Sequence, residues 1–165
     1  MNDDISLKFK GLTELLIRKN LTAATMESCT GGLIASMITD TEGSSSVFKG
    51  AYVTYCNEAK ISSGVPADVI RSYGVYSPQT ADEMAEACRK NLCADIGIGI
   101  TGTFGNQDPV NADSVCGTVY FSISFHGKIY RFSLDMNTEP DRRSYKLKAA
   151  EHVCTGLMSI LSILE

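Results

Sequence analysis

Residues 21–39 read LTAATMESCTGGLIASMIT. The first seven, LTAATME, form a short, mostly apolar run suited to a buried strand. SCTGG is a glycine turn, and LIASMIT is an apolar helical run. Strand, glycine turn, helix is the order from which α/β proteins are assembled.

The flanking sequence extends this order in both directions. Upstream, residues 5–19 place Phe9, Leu12, Leu15 and Leu16 on one helical face, although Gly11 weakens the interior. Downstream, GAYVTY predicts a second strand ending at Tyr55, with Asn57 as the N-cap of a short helix through EAKIS. VPADVIRSYG predicts another short helix with Pro66 near its start. Ser77 and Pro78 open a longer one whose Ala81, Met84, Ala85, Cys88 and Leu92 form an apolar stripe. DIGIGIT alternates glycine with isoleucine, as suits a central strand that its neighbours approach closely. Residues 102–116 carry no regular pattern. GTVYFSISF and IYRFSL follow as a hairpin across an HGK turn. A last helix from about Pro140 turns Leu147, Ala150, Val153, Cys154, Leu157, Ile160, Leu161 and Leu164 inward. The sum predicts one domain over residues 1–165. Its fold class is α/β, a three-layer αβα sandwich with a mixed, mostly parallel five-stranded sheet in which the hairpin supplies one antiparallel strand.

Composition narrows the function classes. The chain has 165 residues, 44% hydrophobic and 21% charged, enough to bury a core without disulfides or metal. The formal net charge is −4, and the basic residues are scattered, which argues against a nucleic-acid partner. No window has the length of a membrane span and the start lacks a signal-peptide core, so a cytoplasmic protein is expected. The six cysteines form no CxxC pair and the two histidines lie far apart, so neither a zinc site nor any other metal site is expected.

In an open α/β sheet, ligands bind beyond the carboxyl ends of the parallel strands. Three segments qualify. In ESCTGG, Ser28 and Thr30 offer hydroxyls, and Gly31 and Gly32 offer outward backbone amides that suit an oxyanion or a phosphate. The same glycines could serve only strand-to-helix packing. Cys29 lacks a histidine nearby in sequence to activate it. The second segment is GSSSVFKGAYVTYCNEAK, residues 43–60, where a serine hydroxyl could be activated by an unprotonated Lys60, with Tyr55 relaying a proton or holding the hydroxyl. On spacing alone, a solvated lysine and loop serines remain open. The third is TGTFGNQD, whose Thr101 and Gly102 sit at a strand end and could line the far side of the crevice.

Taken in order, ESCTGG, GSSSVF, VTYCNEAK, GVYSPQTADEMA, GITGTFG, GTVYFSI and the arginine-bearing last helix resemble the C-terminal domain of the CinA family over about residues 6–163. That family's stand-alone members include nicotinamide-nucleotide amidohydrolases. The resemblance implies the αβα fold and conversion of nicotinamide mononucleotide to nicotinic acid mononucleotide and ammonia, with no metal or cofactor. It puts Ser45 in the nucleophile position with Tyr55 and Lys60 as partners, and Ser28 and Thr101 along the site. Arg142 matches a basic residue at the start of the last helix, with Arg143 as the alternative. The implied partner is a small pyridine nucleotide, with neither nucleic acid nor membrane. Exposed faces of such domains commonly pair, so a homo-oligomer is expected. Three departures stand out: GTFGN where the family reads GIAGP, Val47 where it often has tryptophan, and EPDRR where it has GDR. The altered glycine loop keeps a second reading open, a nucleotide-binding domain of the same fold without turnover.

Overall fold

The computed structural model describes residues 3–136 and 138–163. Helix α1 (Asp3–Lys19) leads into β1 (Ala23–Glu27) and α2 (Leu33–Thr39). A 3-10 turn (Ser44–Ser46) precedes β2 (Phe48–Val53), which is followed by α3 (Asn57–Ser62), α4 (Ala67–Tyr73) and α5 (Pro78–Asn91). The chain continues through β3 (Ile96–Gly102), β4 (Thr118–Phe125), β5 (Lys128–Asp135) and α6 (Arg142–Ser162). The sheet order is β2-β1-β3-β4-β5, with β1 parallel to both β2 and β3, and β4 antiparallel to β3 and β5. This is the expected mixed, mostly parallel αβα architecture. Among the described residues no helix is long and apolar enough to cross a membrane.

The two-residue period of the strands splits the core. Ala23, Ile96, Ile98, Ile100, Val119, Phe121, Ile123 and Phe125 share one apolar cluster with α1, α2 and α6. Ala24 and Met26 turn to the other face and pack with Met84, Ala87 and Cys88 of α5. The inward residues expected of α6 are buried, apart from the half-buried Leu147; Leu164 lies outside the described residues.

The glycines of β3 explain how closely α5 sits. A Cβ at Gly99 would lie 2.3 Å from the Ala81 carbonyl oxygen and 2.4 Å from the Ala85 nitrogen. At Gly97 it would lie 2.0 Å from the Ala85 carbonyl oxygen. Backbone therefore rests on backbone, and no rotamer change can relieve an added methyl. Gly99→Ala is expected to cost roughly 2–3 kcal/mol through overpacking, read as a lower urea midpoint at unchanged slope.

Two local expectations need correction. Strand β2 ends at Val53, so Tyr55 stands two residues beyond it. The N-cap of α3 is Cys56 rather than Asn57: Cys56 is extended and its Sγ accepts a hydrogen bond from the Ala59 amide at 3.4 Å. Asn57 is thereby free to turn its side-chain amide toward Asn111.

The chain leaves β1 for β2 on one side and later returns to β3 on the other. The topological switch point thus lies at the carboxyl ends of β1 and β3. These ends are knitted together: the Ser28 amide donates to the Ile100 carbonyl (3.1 Å), and the Thr54 amide donates to the Glu27 carbonyl (2.8 Å).

Candidate active site

A cavity of about 400 Å³ opens at this switch point. Its wall includes Ser28 from the turn after β1, Tyr55 and Lys60 from the segment after β2, Gly102 at the end of β3, Phe104 beyond it, and Arg142 from the start of α6.

At its floor, Lys60 is 1% exposed. Its Nζ donates to the Thr54 carbonyl at 2.8 Å and to Ser28 Oγ at 3.1 Å. Burial, which disfavours an ammonium, pushes the Lys60 pKa down to about 8, against the opposing influence of Cys29, Cys56 and Asp108. A neutral amine keeps two hydrogens and one lone pair. It can donate to Thr54 while accepting the Ser28 hydroxyl proton along the same 3.1 Å line.

Ser28 is held by what surrounds it. Glu27, fully buried, accepts hydrogen bonds from the hydroxyls of Thr25 (3.2 Å) and Thr30 (2.7 Å). It also accepts from the backbone amides of Gly32 (3.0 Å), Ile34 (3.1 Å) and Ala35 (2.9 Å). A side chain of the strand thus caps the first turn of α2 and fixes the path of residues 28–32 between them. Gly31 and Gly32, with φ of 62° and 90°, supply the left-handed backbone that this path requires.

The rim is aromatic and cationic. Arg142 Nη2 donates to Tyr55 Oη at 2.8 Å, and the guanidinium lies 5.6 Å from the Phe104 ring centroid. Phe104 in turn stacks on Tyr145 at 5.2 Å. Of the two candidate arginines, Arg142 lines the cavity.

Several expected contacts are not made. Ser45 does not reach Lys60. It is exposed in the 3-10 turn that precedes β2, whereas Lys60 lies beyond the far end of that strand, about 20 Å away at the usual rise per residue. Thr30 turns inward to Glu27, and the Gly32 amide points the same way instead of outward. Gly31 is exposed but lies beside Lys146, outside the cavity wall. Thr101 is fully buried and donates to the Val75 carbonyl at 3.0 Å, tying β3 to the segment before α5. Tyr55 is 60% exposed and meets Arg142 rather than Lys60. Cys29 lines the cavity, but burial and the neighbouring Glu27 push its thiol up to about 12, so it stays protonated and a poor nucleophile. The structure therefore brings together Ser28, Lys60, Tyr55, Gly102 and Arg142, and leaves Ser45, Thr30, Gly31 and Thr101 outside. The sequence reading missed Glu27, Phe104, Tyr76 and Asp108. For Glu27 the signal was an acid at the last position of a strand, directly before a glycine turn and a helix.

Fold and site define an αβα domain with a buried serine–lysine pair at the switch point of its parallel strands. Residues 8–161 match the CinA C-terminal domain, and the chain belongs to that family. A Clostridioides difficile protein that carries the name of a competence-damage inducible protein is 40% identical over 147 residues, 88% of this chain and 34% of its own length. A CinA-like protein of Akkermansia muciniphila is 37% identical over 87% of this chain and 34% of its own. The chain thus spans about a third of the length of these curated relatives. The crystal structure of the competence/damage inducible protein CihA from Agrobacterium tumefaciens superposes with a TM-score of 0.88 at 26% identity, covering 98% of both chains.

Proposed function

We propose that this domain is an amidohydrolase that removes ammonia from the carboxamide of nicotinamide mononucleotide, with Ser28 as nucleophile and Lys60 as general base and acid. The observation that carries the reading is the 3.1 Å contact between Ser28 Oγ and a buried Lys60 Nζ whose pKa is lowered to about 8.

The steps balance with this chain's own groups. Ser28 Oγ attacks the carboxamide carbon while its proton passes to neutral Lys60, giving a tetrahedral oxyanion and an ammonium. Lys60 returns that proton to the departing nitrogen, the C–N bond breaks, and ammonia leaves an acyl ester on Ser28. Water then attacks the ester, Lys60 takes its proton, and the serine oxygen leaves with that proton restored. The rings of Tyr55, Tyr76 and Phe104 offer faces for a pyridine, and Arg142 offers a cation for the phosphate. The cavity volume falls within the range usual for small-molecule sites.

The test is ammonia release from nicotinamide mononucleotide by the wild type and by Lys60→Met. Wild-type kcat/KM is expected to fall on the acid side of an apparent pKa near 8, and Lys60→Met to lose at least about 10³-fold. Binding of the nucleotide without ammonia release would instead favour the nucleotide-binding domain, the reading that the GTFGN loop keeps in view.

Lys60→Met also has a stability consequence. The folded pKa of about 8 lies below the unfolded 10.5. Between these values the unfolded chain binds more protons, so stability rises with pH from 8 to 10.5 and the full penalty applies below 8. The shift corresponds to about 3 kcal/mol, part of which is offset by the two hydrogen bonds the ammonium makes. Lys60→Met is therefore expected to raise stability at pH 7 by roughly 1–2 kcal/mol, measured by urea unfolding, with the gain shrinking above pH 8.

A further inference from the structure

The loop between β3 and β4 forms one whole wall of the cavity, and its anchors converge on one side chain. Asp108 Oδ2 accepts from the Tyr76 hydroxyl (2.5 Å) and from Asn111 Nδ2 (2.7 Å), and Oδ1 accepts from the Val110 amide (2.9 Å). Asn111 Oδ1 then accepts from Asn57 Nδ2 at 3.2 Å. Tyr76 belongs to the segment between α4 and α5. Asn57 is the first residue of α3, three positions before Lys60 on the same short helix. The Asp108 amide is held as well, donating to Ser114 Oγ at 2.9 Å. A second anchor lies nearby: Asp113 packs so closely on Gly74, after α4, that a Cβ there would lie 2.1 Å from its Oδ2.

We propose that Asp108 is a positioning residue of this site, one that ties the β3–β4 loop to the helix carrying Lys60 and fixes a carboxylate in the cavity wall. The proposal deepens the amidohydrolase reading and rests on it for its kinetic consequence. Residues 102–116 had no pattern that singled out Asp108; only the folded loop brings it to Tyr76 and Asn111.

The electrostatics agree with the geometry. Hydrogen bonds from Asn111 and Tyr76 hold Asp108 below its ordinary carboxylate range, so it is charged at neutral pH. Burial, with the Asp108 hydrogen bond and charge adding to it, pushes the Tyr76 phenol up, so that phenol stays a donor throughout. The groups that act on Lys60 against its burial are Cys29, Cys56 and Asp108. Cys29 is a neutral thiol below about pH 12, and Asp108 is the carboxylate among the three. The other titratable groups facing this space are Glu58 on α3, the phenols of Tyr55 and Tyr76, and Arg142 from α6. Asp108 thus restrains how far burial depresses the Lys60 ammonium.

The test reads Lys60 directly, without turnover. Lysine labelled with 13C at Cε gives a resonance assignable to Lys60 by its loss in Lys60→Met, and its midpoint is followed against pH. Asp108→Asn is expected to move that midpoint down by about half a unit, roughly threefold in the dissociation constant. Asn111→Ala, which leaves the charge but cuts its tie to α3, is expected to move it the same way by less. The companion measurement is KM for nicotinamide mononucleotide, expected to rise at least about fivefold in both variants with a smaller change in kcat. A midpoint unmoved in both variants overturns the proposal. Since the midpoint needs no catalysis, a wild type that releases no ammonia removes the substrate reading and leaves the placement of Asp108 to be decided on the titration alone.

Discussion

Ser28→Ala is expected to abolish ammonia release from nicotinamide mononucleotide, a loss of at least about 10⁴-fold in kcat, while Ser45→Ala stays within about twofold of wild type. The contrast follows from strand direction. Strands β1 and β2 are parallel, with Ala23 beside Phe48 and Glu27 beside Val53. Whatever follows β1 meets whatever follows β2, which puts Ser28 next to Lys60. Whatever precedes β2 lies at the opposite, amino-terminal end of these parallel strands, and Ser45 precedes it. Removing the Ser28 hydroxyl leaves Lys60 its bond to the Thr54 carbonyl, so the variant is expected to fold and to bind nucleotide with little change in affinity. Ammonia release by Ser28→Ala at more than a tenth of the wild-type rate would remove Ser28 as nucleophile. A dead Ser45→Ala beside an active Ser28→Ala would return the role to the 3-10 turn.

The second large effect is on stability. Glu27→Ala is expected to cost roughly 4 kcal/mol, because it strips five donors of an acceptor that is itself fully buried. Three of those donors are backbone amides at the start of α2, from the N-cap Gly32 and from Ile34 and Ala35, and the N-cap itself offers no side chain to receive them. Glu27→Gln should fall between, since an amide oxygen can still accept but its NH₂ meets donors. Urea unfolding measures both, and a loss under 1 kcal/mol for Glu27→Ala would mean the turn holds itself. Where Glu27→Gln folds, its kcat should fall along with its stability, because the path of residues 28–32 aims the Ser28 hydroxyl.

Much of the fold could be read from particular residues. The glycines of DIGIGIT foretold a strand that a helix lies against, and Gly97 and Gly99 are where α5 touches β3. Ser77 and Pro78 foretold the start of α5, where Ser77 Oγ accepts from the Thr80 amide. The apolar stripe of α5 was legible too, but not its acids: buried Asp82 accepts from Ser122 and Arg131, and Glu86 accepts from Ser124. Such partners lie 38 to 49 positions away along the chain and leave no periodic trace. The site was half legible for a related reason. Lys60 stood out by type, yet its partner was sought nearby in the chain when the parallel pairing of β1 and β2 had already placed it elsewhere. The hydroxyl of Thr30 and the strand-end position of Thr101 mark them as candidates, but neither says in which direction a turn or a strand pleat points the side chain. Glu27 carried no helical or strand periodicity to mark it, and its role exists only once α2 has folded over it.

The contact of α5 on the two bare glycines of β3 has a bearing on redesign. With main chain resting on main chain, neither glycine can take a side chain unless the helix itself moves, so this face of the sheet resists reshaping. Changes meant to alter what the cavity accepts are best made in the stretch from Phe104 to Asn111, which lines it without touching that contact.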